Sequence, residues 1–150
     1  MSIQTGGCRC GAVRYRLNTE TTPPTYCCHC LDCQTWSGSA FTEQAVVMEP
    51  QIEVTQGEPE VYQRSNASGA VSTQHLCGEC HTRLWNTNSA RPRLAVVRAG
   101  TLDTSETVAP RAHIWVKRKQ GWIVISTDVP SWPENAPPAD FAAALRGEMP

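Results

Sequence analysis

Residues 28–33 have the sequence CHCLDC, so three thiols lie within six residues. Thiolate sulfur is a preferred ligand of zinc, and four ligands in a tetrahedral array complete a structural zinc site. Cys27 directly precedes this stretch, but adjacent residues rarely reach one tetrahedral ion together. We therefore assign Cys28, Cys30 and Cys33, called here the three-cysteine cluster, as ligands of one metal ion, and Cys27 as a buried or supporting thiol.

The chain has eight cysteines, and they lie in short groups rather than dispersed. Its first residues lack the basic start and apolar core of a signal peptide, which predicts a cytoplasmic location. Thiols stay reduced in that compartment, and clustered cysteines there hold metal more often than they form disulfides. The grouping therefore favours metal sites over a disulfide framework.

The other cysteines form two short pairs far apart in sequence, Cys8 with Cys10 and Cys77 with Cys80. This four-cysteine cluster supplies the ligands of a closed structural zinc site. Such a site would clamp the first and middle strands of a β-fold, because metal-binding free energy becomes folding free energy. His81 stands where a zinc knuckle usually has a glycine with positive φ, a region that histidine tolerates better than most residues. We expect His81 to adopt that conformation; the alternatives are a metal ligand or a core residue.

The three-cysteine cluster has one ligand fewer than a structural site, and an open position is typical of catalytic zinc. Three thiolates on Zn²⁺ give a net charge of about −1, which weakens Lewis acidity and suits a substrate thiolate as the fourth ligand. A small electrophile such as an aldehyde is then open to attack by that sulfur. The alternative is a second closed site, completed by Cys27 or by one of the histidines His29, His75 and His113.

His29 is a weak catalytic candidate because it lies between two predicted ligands. In that position, His29 or a water molecule could relay a proton during adduct formation. The alternative is a side chain that simply points to solvent. The two cysteine clusters together predict two zinc ions per chain.

Short β-type segments separated by turn residues recur about every ten residues, which predicts an all-β, sandwich-like architecture. The expected strands are 12–17, 40–48, 51–55, 60–64, 70–76, 82–86, 94–97, 113–116 and 122–124. A short helix is predicted over 139–146, with Gly147 as its stop signal. Because no repeat or linker is visible, we predict one domain over residues 1–150, with a core at about 5–125 and a proline-rich extension at 126–150.

Charge and hydropathy exclude two classes of partner. The net charge is −1 and the 13 basic residues are scattered, which argues against a nucleic-acid surface. The exception is the triplet at 117–119, which we interpret as a solvated turn before Gly121. No apolar run approaches the roughly 18 residues of a membrane-spanning helix, so no membrane partner is expected.

Five groups of residues together carry a family resemblance. They are GCRCGAVRY at 7–15, CHCLDCQ at 28–34 followed by SGSAF at 37–41, LCGEC at 76–80, AGTLD at 99–103 and HIW at 113–115. In this order and spacing, over about residues 5–125, the chain resembles the glutathione-dependent formaldehyde-activating enzyme family, also called the centromere-protein-V/GFA domain.

This resemblance implies a β-tent fold of short antiparallel strands clamped by a structural zinc on the four-cysteine cluster. It implies a catalytic zinc on the three-cysteine cluster, beside which glutathione binds. The implied activity is that of a carbon-sulfur lyase, which joins formaldehyde to glutathione as S-hydroxymethylglutathione. Gln34 departs from the family pattern, which commonly has a basic residue there, and this weakens the expectation of an anionic thiol substrate.

Two other functions stay open. One is a non-enzymatic zinc module that binds a partner. The other is a thiol enzyme resembling methionine sulfoxide reductase, which needs an unligated cysteine of low pKa, and Cys27 is the candidate for that thiol. A homodimer is conceivable because an all-β domain exposes strands.

Overall fold

The computed structural model describes residues 2–149, which form ten strands in two sheets and two α-helices. The strands are β1 Ser2–Gly7, β2 Arg14–Thr19, β3 Thr25–Cys28, β4 Thr42–Met48, β5 Ile52–Gln56, β6 Glu60–Ser65, β7 Val71–Leu76, β8 Arg83–Asn88, β9 Leu94–Arg98 and β10 Pro110–Ile114. The helices are α1 Leu31–Ser37 and α2 Pro138–Leu145. The prediction of an all-β fold with a short C-terminal helix is confirmed.

Residues 2–23 and 45–107 form one compact unit. In it, β1, β2 and β5 make a three-stranded antiparallel sheet with β2 in the centre. β8 pairs antiparallel with β9 and β7, and β7 pairs antiparallel with β6. The alternation along β2 buries Tyr15 and Leu17, as its period-two pattern predicts.

Residues 24–44 and 108–149 form a second compact unit, in which β3 pairs with β10. This pair is parallel, which differs from the antiparallel arrangement expected throughout. Parallel strands need a long connection, and the long stretch of chain between β3 and β10 provides one. Helix α2 packs here through Phe141, whose ring meets the ring of Tyr26 edge-on at a centroid distance of 4.9 Å.

The predicted strand at 122–124 is wrong. The amide of Ile123 donates to the carbonyl oxygen of Gln120 at 3.1 Å, which makes a turn, and no strand is assigned at these positions. Trp122 is 71% exposed and Val124 is 92% exposed. The segment has the apolar composition of a strand, but it belongs to neither of the two sheets formed by residues 2–149.

The two units are groups of residues that each pack compactly. This division does not test whether residues 1–150 form a single domain, so the single domain stays a prediction. Neither α-helix, nor any other helix within residues 2–149, combines the length and the apolar character needed to cross a membrane.

Candidate metal centres

The four-cysteine cluster lies at two turns of the first unit. Cys8 and Cys10 lie between β1 and β2, and Cys77 and Cys80 lie between β7 and β8. All four Sγ atoms lie within 4.8 Å of one another. The sulfur of Cys10 is 3.6 Å from that of Cys8 and 3.8 Å from that of Cys77. The structure thus brings together the two pairs that the sequence grouped, and four thiol ligands suit a tetrahedral zinc ion.

Hydrogen-bond donors surround the sulfurs of this cluster. The amide of Val13 donates to Sγ of Cys8 at 3.2 Å, and the Thr82 hydroxyl lies 3.1 Å from Sγ of Cys80. The hydroxyl and amide of Thr82 lower the pKa of Cys80 to about 5. These contacts favour thiolates, which are the form that binds metal.

His81 adopts the conformation predicted for it, with φ of 61°. Its amide donates to the carbonyl oxygen of Cys77 at 2.9 Å, which closes the turn that carries two of the cysteines. Its side chain is exposed and it is not among the residues whose ligand atoms form the cluster. His81 is therefore neither a core residue nor a member of this ligand group.

The three-cysteine cluster lies where β3 leads into α1. Cys28 is the last residue of β3, Cys30 is the N-cap of α1, and Cys33 lies in the first turn of α1. Residues three apart at the start of a helix lie on one face, which brings Cys30 and Cys33 together. The three Sγ atoms lie within 4.8 Å of one another. Cys28 and Cys33 are buried, whereas Cys30 is half-buried.

Helix α1 itself was not predicted from the sequence. The sulfur of Cys30 caps it by accepting a hydrogen bond from the amide of Cys33 at 3.4 Å. Gly38, with φ of 64°, ends it, and its amide donates to the carbonyl oxygen of Gln34 at 2.9 Å. The acidic Asp32 in the first turn and the glycine stop were visible signals, but cysteine is not among the residues usually recognised as N-caps.

The three sulfurs cannot all ionise easily without a cation. Hydrogen bonds with Cys28 and Cys33 lower the pKa of Cys30 to about 2, whereas hydrogen bonds with Cys30 and Cys33 raise the pKa of Cys28. One thiolate is therefore stabilised by neighbouring thiols. Gln44, which sequence reasoning missed, is buried and donates to Sγ of Cys33 at 3.7 Å. Three clustered thiols, one of which has its pKa lowered by hydrogen bonds with the other two, suit a thiophilic ion such as zinc.

The three-cysteine cluster has no fourth protein ligand among the residues that the structure describes. No other histidine, cysteine, aspartate or glutamate has a ligand atom in the group. The alternative of a second closed site, completed by Cys27 or a histidine, therefore finds no support within residues 2–149.

Comparison with models of known protein families identifies the family of this chain. Residues 3–118 match the model of the family described as glutathione-dependent formaldehyde-activating enzyme (GFA). The chain belongs to the GFA family. The resemblance inferred from the cysteine motifs is thereby confirmed.

Two relatives illustrate the similarity. A Halomonas elongata protein, provisionally named glutathione-dependent formaldehyde-activating enzyme, is 27% identical over 127 residues, which are 81% of this chain and 80% of that protein. A crystal structure of a Rhodobacter sphaeroides protein matches with a TM-score of 0.55 at 18% identity, covering 85% of this chain and 99% of that one. The second likeness concerns the fold alone.

His29, which follows the first cysteine of the GFA-type CHCLDC motif, does not point to solvent, so that alternative is wrong. Its side chain is 0% exposed, and its Nε2 lies 2.9 Å from Nδ1 of His113. Burial, followed by the charges of His113 and Lys119, lowers the pKa of His29 to about 4. The ring is therefore neutral at pH 7, and its Nδ1 is buried without a hydrogen-bond partner in the described chain.

Cys27 and Gln34 are two further positions that the sequence singled out in this unit. Cys27 is 1% exposed, and burial raises its pKa to about 12. Gln34, at the position where the resemblance led us to expect a basic residue, donates from Nε2 to the carbonyl oxygens of His29 at 2.8 Å and Arg118 at 2.9 Å. Gln34 therefore ties α1 to the segment that follows β10.

Proposed function

We propose that the chain is a zinc-dependent carbon-sulfur lyase, which forms or cleaves a thiol–aldehyde adduct such as S-hydroxymethylglutathione. The observation that carries the proposal is the three-cysteine cluster, whose sulfurs lie within 4.8 Å of one another without a fourth described ligand. Membership of the GFA family and the provisional name of the Halomonas elongata relative support glutathione and formaldehyde as the substrates. The cytoplasm is the proposed location, because eight free thiols persist in a reducing compartment.

Cys28, Cys30 and Cys33 would hold the catalytic zinc, and the four-cysteine cluster would hold a structural one. Zinc held by three thiolates would supply a position at which a substrate thiol stays ionised at neutral pH. The amide of Cys33 and the side-chain amide of Gln44 donate to sulfurs of the cluster, so they stabilise its negative charge and fix its orientation.

The reaction balances without an oxidant or a reductant. When the adduct forms, the substrate sulfur bonds to the aldehyde carbon, the carbonyl π bond breaks, and the proton lost by the thiol is matched by one gained at the new hydroxyl. Cleavage reverses each change. Water is the better candidate for this proton transfer than His29, because the His29 ring is fully buried and is hydrogen-bonded to His113.

The two alternative functions have less support. A reductase would need a reactive free thiol, but Cys27 is buried and its pKa is raised rather than lowered. A purely structural zinc module would not need an incomplete ligand set in its second site, and no observation on the described residues favours it.

Metal content tests the two-zinc arrangement. We expect two zinc ions per chain after anaerobic purification, and one per chain in Cys30→Ser, with the circular dichroism spectrum retained. Serine preserves a capping oxygen for α1 while removing the soft ligand. Cys27→Ser is the matched control and should keep both ions. A single zinc ion in the unmodified protein would count heavily against a catalytic metal site.

Activity is tested by exchange NMR of glutathione with formaldehyde. The zinc-loaded protein should accelerate exchange between the free thiol and its hydroxymethyl adduct, and Cys30→Ser should abolish the acceleration. If the unmodified protein gives no acceleration over buffer, formaldehyde is not the aldehyde substrate.

A further inference from the structure

Strand β6 has one open edge. It pairs antiparallel with β7, and no other strand within residues 2–149 pairs with it. The outer side of β10 is different, because residues 130–132 cover it. The amide of His113 donates to the carbonyl oxygen of Pro130 at 2.9 Å, and the amide of Trp132 donates to that of His113 at 3.0 Å. The chain thus covers the edge of β10 and leaves that of β6 open.

The open edge of β6 lacks the features that usually prevent pairing with another chain, which are lysine, proline or a bulge within the strand. Its sequence is EVYQRS, and its register with β7 is continuous from Glu60 to Ser65. Val61 is 57% exposed and Tyr62 is 52% exposed. Since successive side chains of a strand point to opposite faces, β6 presents an exposed apolar side chain on each face. Such an edge is a template for a further strand.

The sequence of β6 is complementary to itself when two copies run antiparallel. A two-fold dimer joins the same surface of both subunits. If Tyr62 lies opposite Tyr62 of the other copy, Glu60 of each copy lies opposite Arg64 of the other. These three residues lie on one face of the strand, because they alternate along it. Opposite charges and aromatic rings directly across a strand pair are stabilising.

The register about Tyr62 is favoured over its neighbour. A shift by one residue, which places Tyr62 opposite Gln63, would put Glu60 opposite Ser65 and leave both charges without an opposite charge. Glu60 is exposed, so its carboxylate is accessible to a second copy.

Strand β5, another outer strand of the first unit, has less of this character. It pairs with β2 and is one residue shorter than β6, over Ile52–Gln56. Val54 is 38% exposed, less than either apolar residue of β6. Antiparallel pairing of two copies about Val54 would place Glu53 opposite Thr55, so no opposite charges would meet. β5 therefore serves as a comparison.

We propose that β6 pairs antiparallel with β6 of a second copy of this chain, with Tyr62 at the two-fold axis, and that this edge is the interface of a homodimer. The inference is independent of the lyase activity, since neither cysteine cluster supplies a contact. The interface joins one pair of short strands, so its area lies at the low end for specific interfaces. The dimer should therefore be reversible and depend on protein concentration.

Sedimentation equilibrium of the zinc-loaded protein tests the interface. We expect the dimer fraction to rise with protein concentration. Tyr62→Lys places two ammonium groups opposite each other at the two-fold axis and should weaken the dimer about tenfold. Val54→Lys makes the same change on β5 and is the matched control, which should leave the dimer constant unchanged.

Exchange of charges tests the register. Glu60→Arg and Arg64→Glu should each weaken the dimer, because like charges then face each other across the two-fold axis. An equimolar mixture of the two variants restores opposite charges at both positions and should dimerise more tightly than either variant alone.

Zinc content is the control for Glu60→Arg, since Glu60 lies against Gly78 in the turn of the four-cysteine cluster. A Cβ at Gly78 would lie 2.5 Å from Oε1 of Glu60. Tyr62→Lys keeps Glu60 and tests the interface if Glu60→Arg loses zinc.

Three results would overturn the inference. One is a monomer at every concentration, which would leave the edge to a different partner. The second is a dimer that Val54→Lys weakens and Tyr62→Lys does not. The third is a mixture of the zinc-loaded charge variants that dimerises no better than each alone.

Discussion

Nε2 of His29 lies 2.9 Å from Nδ1 of His113, and the two rings have centroids 5.2 Å apart. Both residues are buried, so the contact joins β10 to the loop that carries the three-cysteine cluster. The contact fixes His29, the residue between Cys28 and Cys30, through a hydrogen bond between two neutral rings, since the pKa values of both are lowered. Its removal should therefore weaken folding more than it changes the charge of the site.

We expect His113→Phe to lower the free energy of unfolding by about 1–3 kcal/mol, because it leaves a buried nitrogen of His29 unpaired. His113→Gln offers both a donor and an acceptor and should lose less. Urea unfolding of the zinc-loaded variants, followed by circular dichroism, measures the difference. A phenylalanine variant as stable as the unmodified protein would contradict the structural role of this pair.

Gly57 lies against the turn that carries Cys8 and Cys10. Its φ is 71°, and a Cβ at this position would lie 2.1 Å from the carbonyl oxygen of Ala12. Gly69 has a similar φ of 83° but open space around it, so it isolates the cost of the backbone conformation. We expect Gly69→Ala to cost about 1–2 kcal/mol and Gly57→Ala to cost about 1–3 kcal/mol more because of the clash. Calorimetric unfolding compares them, and equal losses would show that the clash is relieved.

His81 occupies a backbone conformation that glycine adopts without strain, with φ of 61°. We expect His81→Gly to raise the free energy of unfolding by about 1 kcal/mol, since the left-handed region is costly for other residues. His81→Ala retains the strain and should give no gain, which makes it the control. The zinc content should be the same in all three proteins. A glycine variant that melts below the alanine variant would refute this expectation.

Tyr15 makes stability depend on alkaline pH. Its side chain is buried, its hydroxyl lies 2.7 Å from Oγ1 of Thr101, and burial raises its pKa to about 12. An unfolded tyrosine loses its proton near pH 10, whereas the folded one retains it to about 12. The folded state therefore binds more protons in this interval, so stability is lost as pH rises from about 10 to 12, by about 2–3 kcal/mol.

Tyr15→Phe separates this effect from other groups. At pH 8 it should be less stable than the unmodified protein by about 1 kcal/mol, because it lacks the hydrogen bond to Thr101. Between pH 10 and 12 the difference should shrink and then reverse. Denaturant unfolding at several pH values measures it, and a difference that does not vary with pH would argue against ionisation of Tyr15.

Local chemistry explains what the sequence predicted well. The cysteines could be sorted into the two clusters that the structure shows because short cysteine spacings are typical of metal sites. The alternation along β2 identified buried Tyr15 and Leu17, and Gly147 marked the end of the last helix. The positive φ of His81 followed from its position in a zinc-knuckle pattern. Except for the meeting of the two distant cysteine pairs, which ligand chemistry indicated, each of these features depends on neighbours close in sequence.

Features that depend on distant neighbours were missed. The parallel pairing of β3 with β10 joins segments that carry no local signal for each other. Residues 122–124 have the composition of a strand, but only the fold decides whether a partner strand is available. Lys119 is half-buried, and both of its neighbours are hydrogen-bonded to Gln34, more than 80 positions earlier in the chain.

The four-cysteine cluster has a further consequence for how long the folded chain survives. Cys10 and Cys77 are 67 positions apart, so an ion bound there would close a long loop. A disulfide that closes a loop of this length lowers the conformational entropy of the unfolded chain, which stabilises the folded state by about 4 kcal/mol. We expect a zinc ion that closes the same loop to have a similar effect. Unlike a disulfide, this cross-link reverses when free zinc is scarce, and each tenfold fall in zinc would lower stability by about 1.4 kcal/mol. The persistence of the protein would then follow the zinc supply around it.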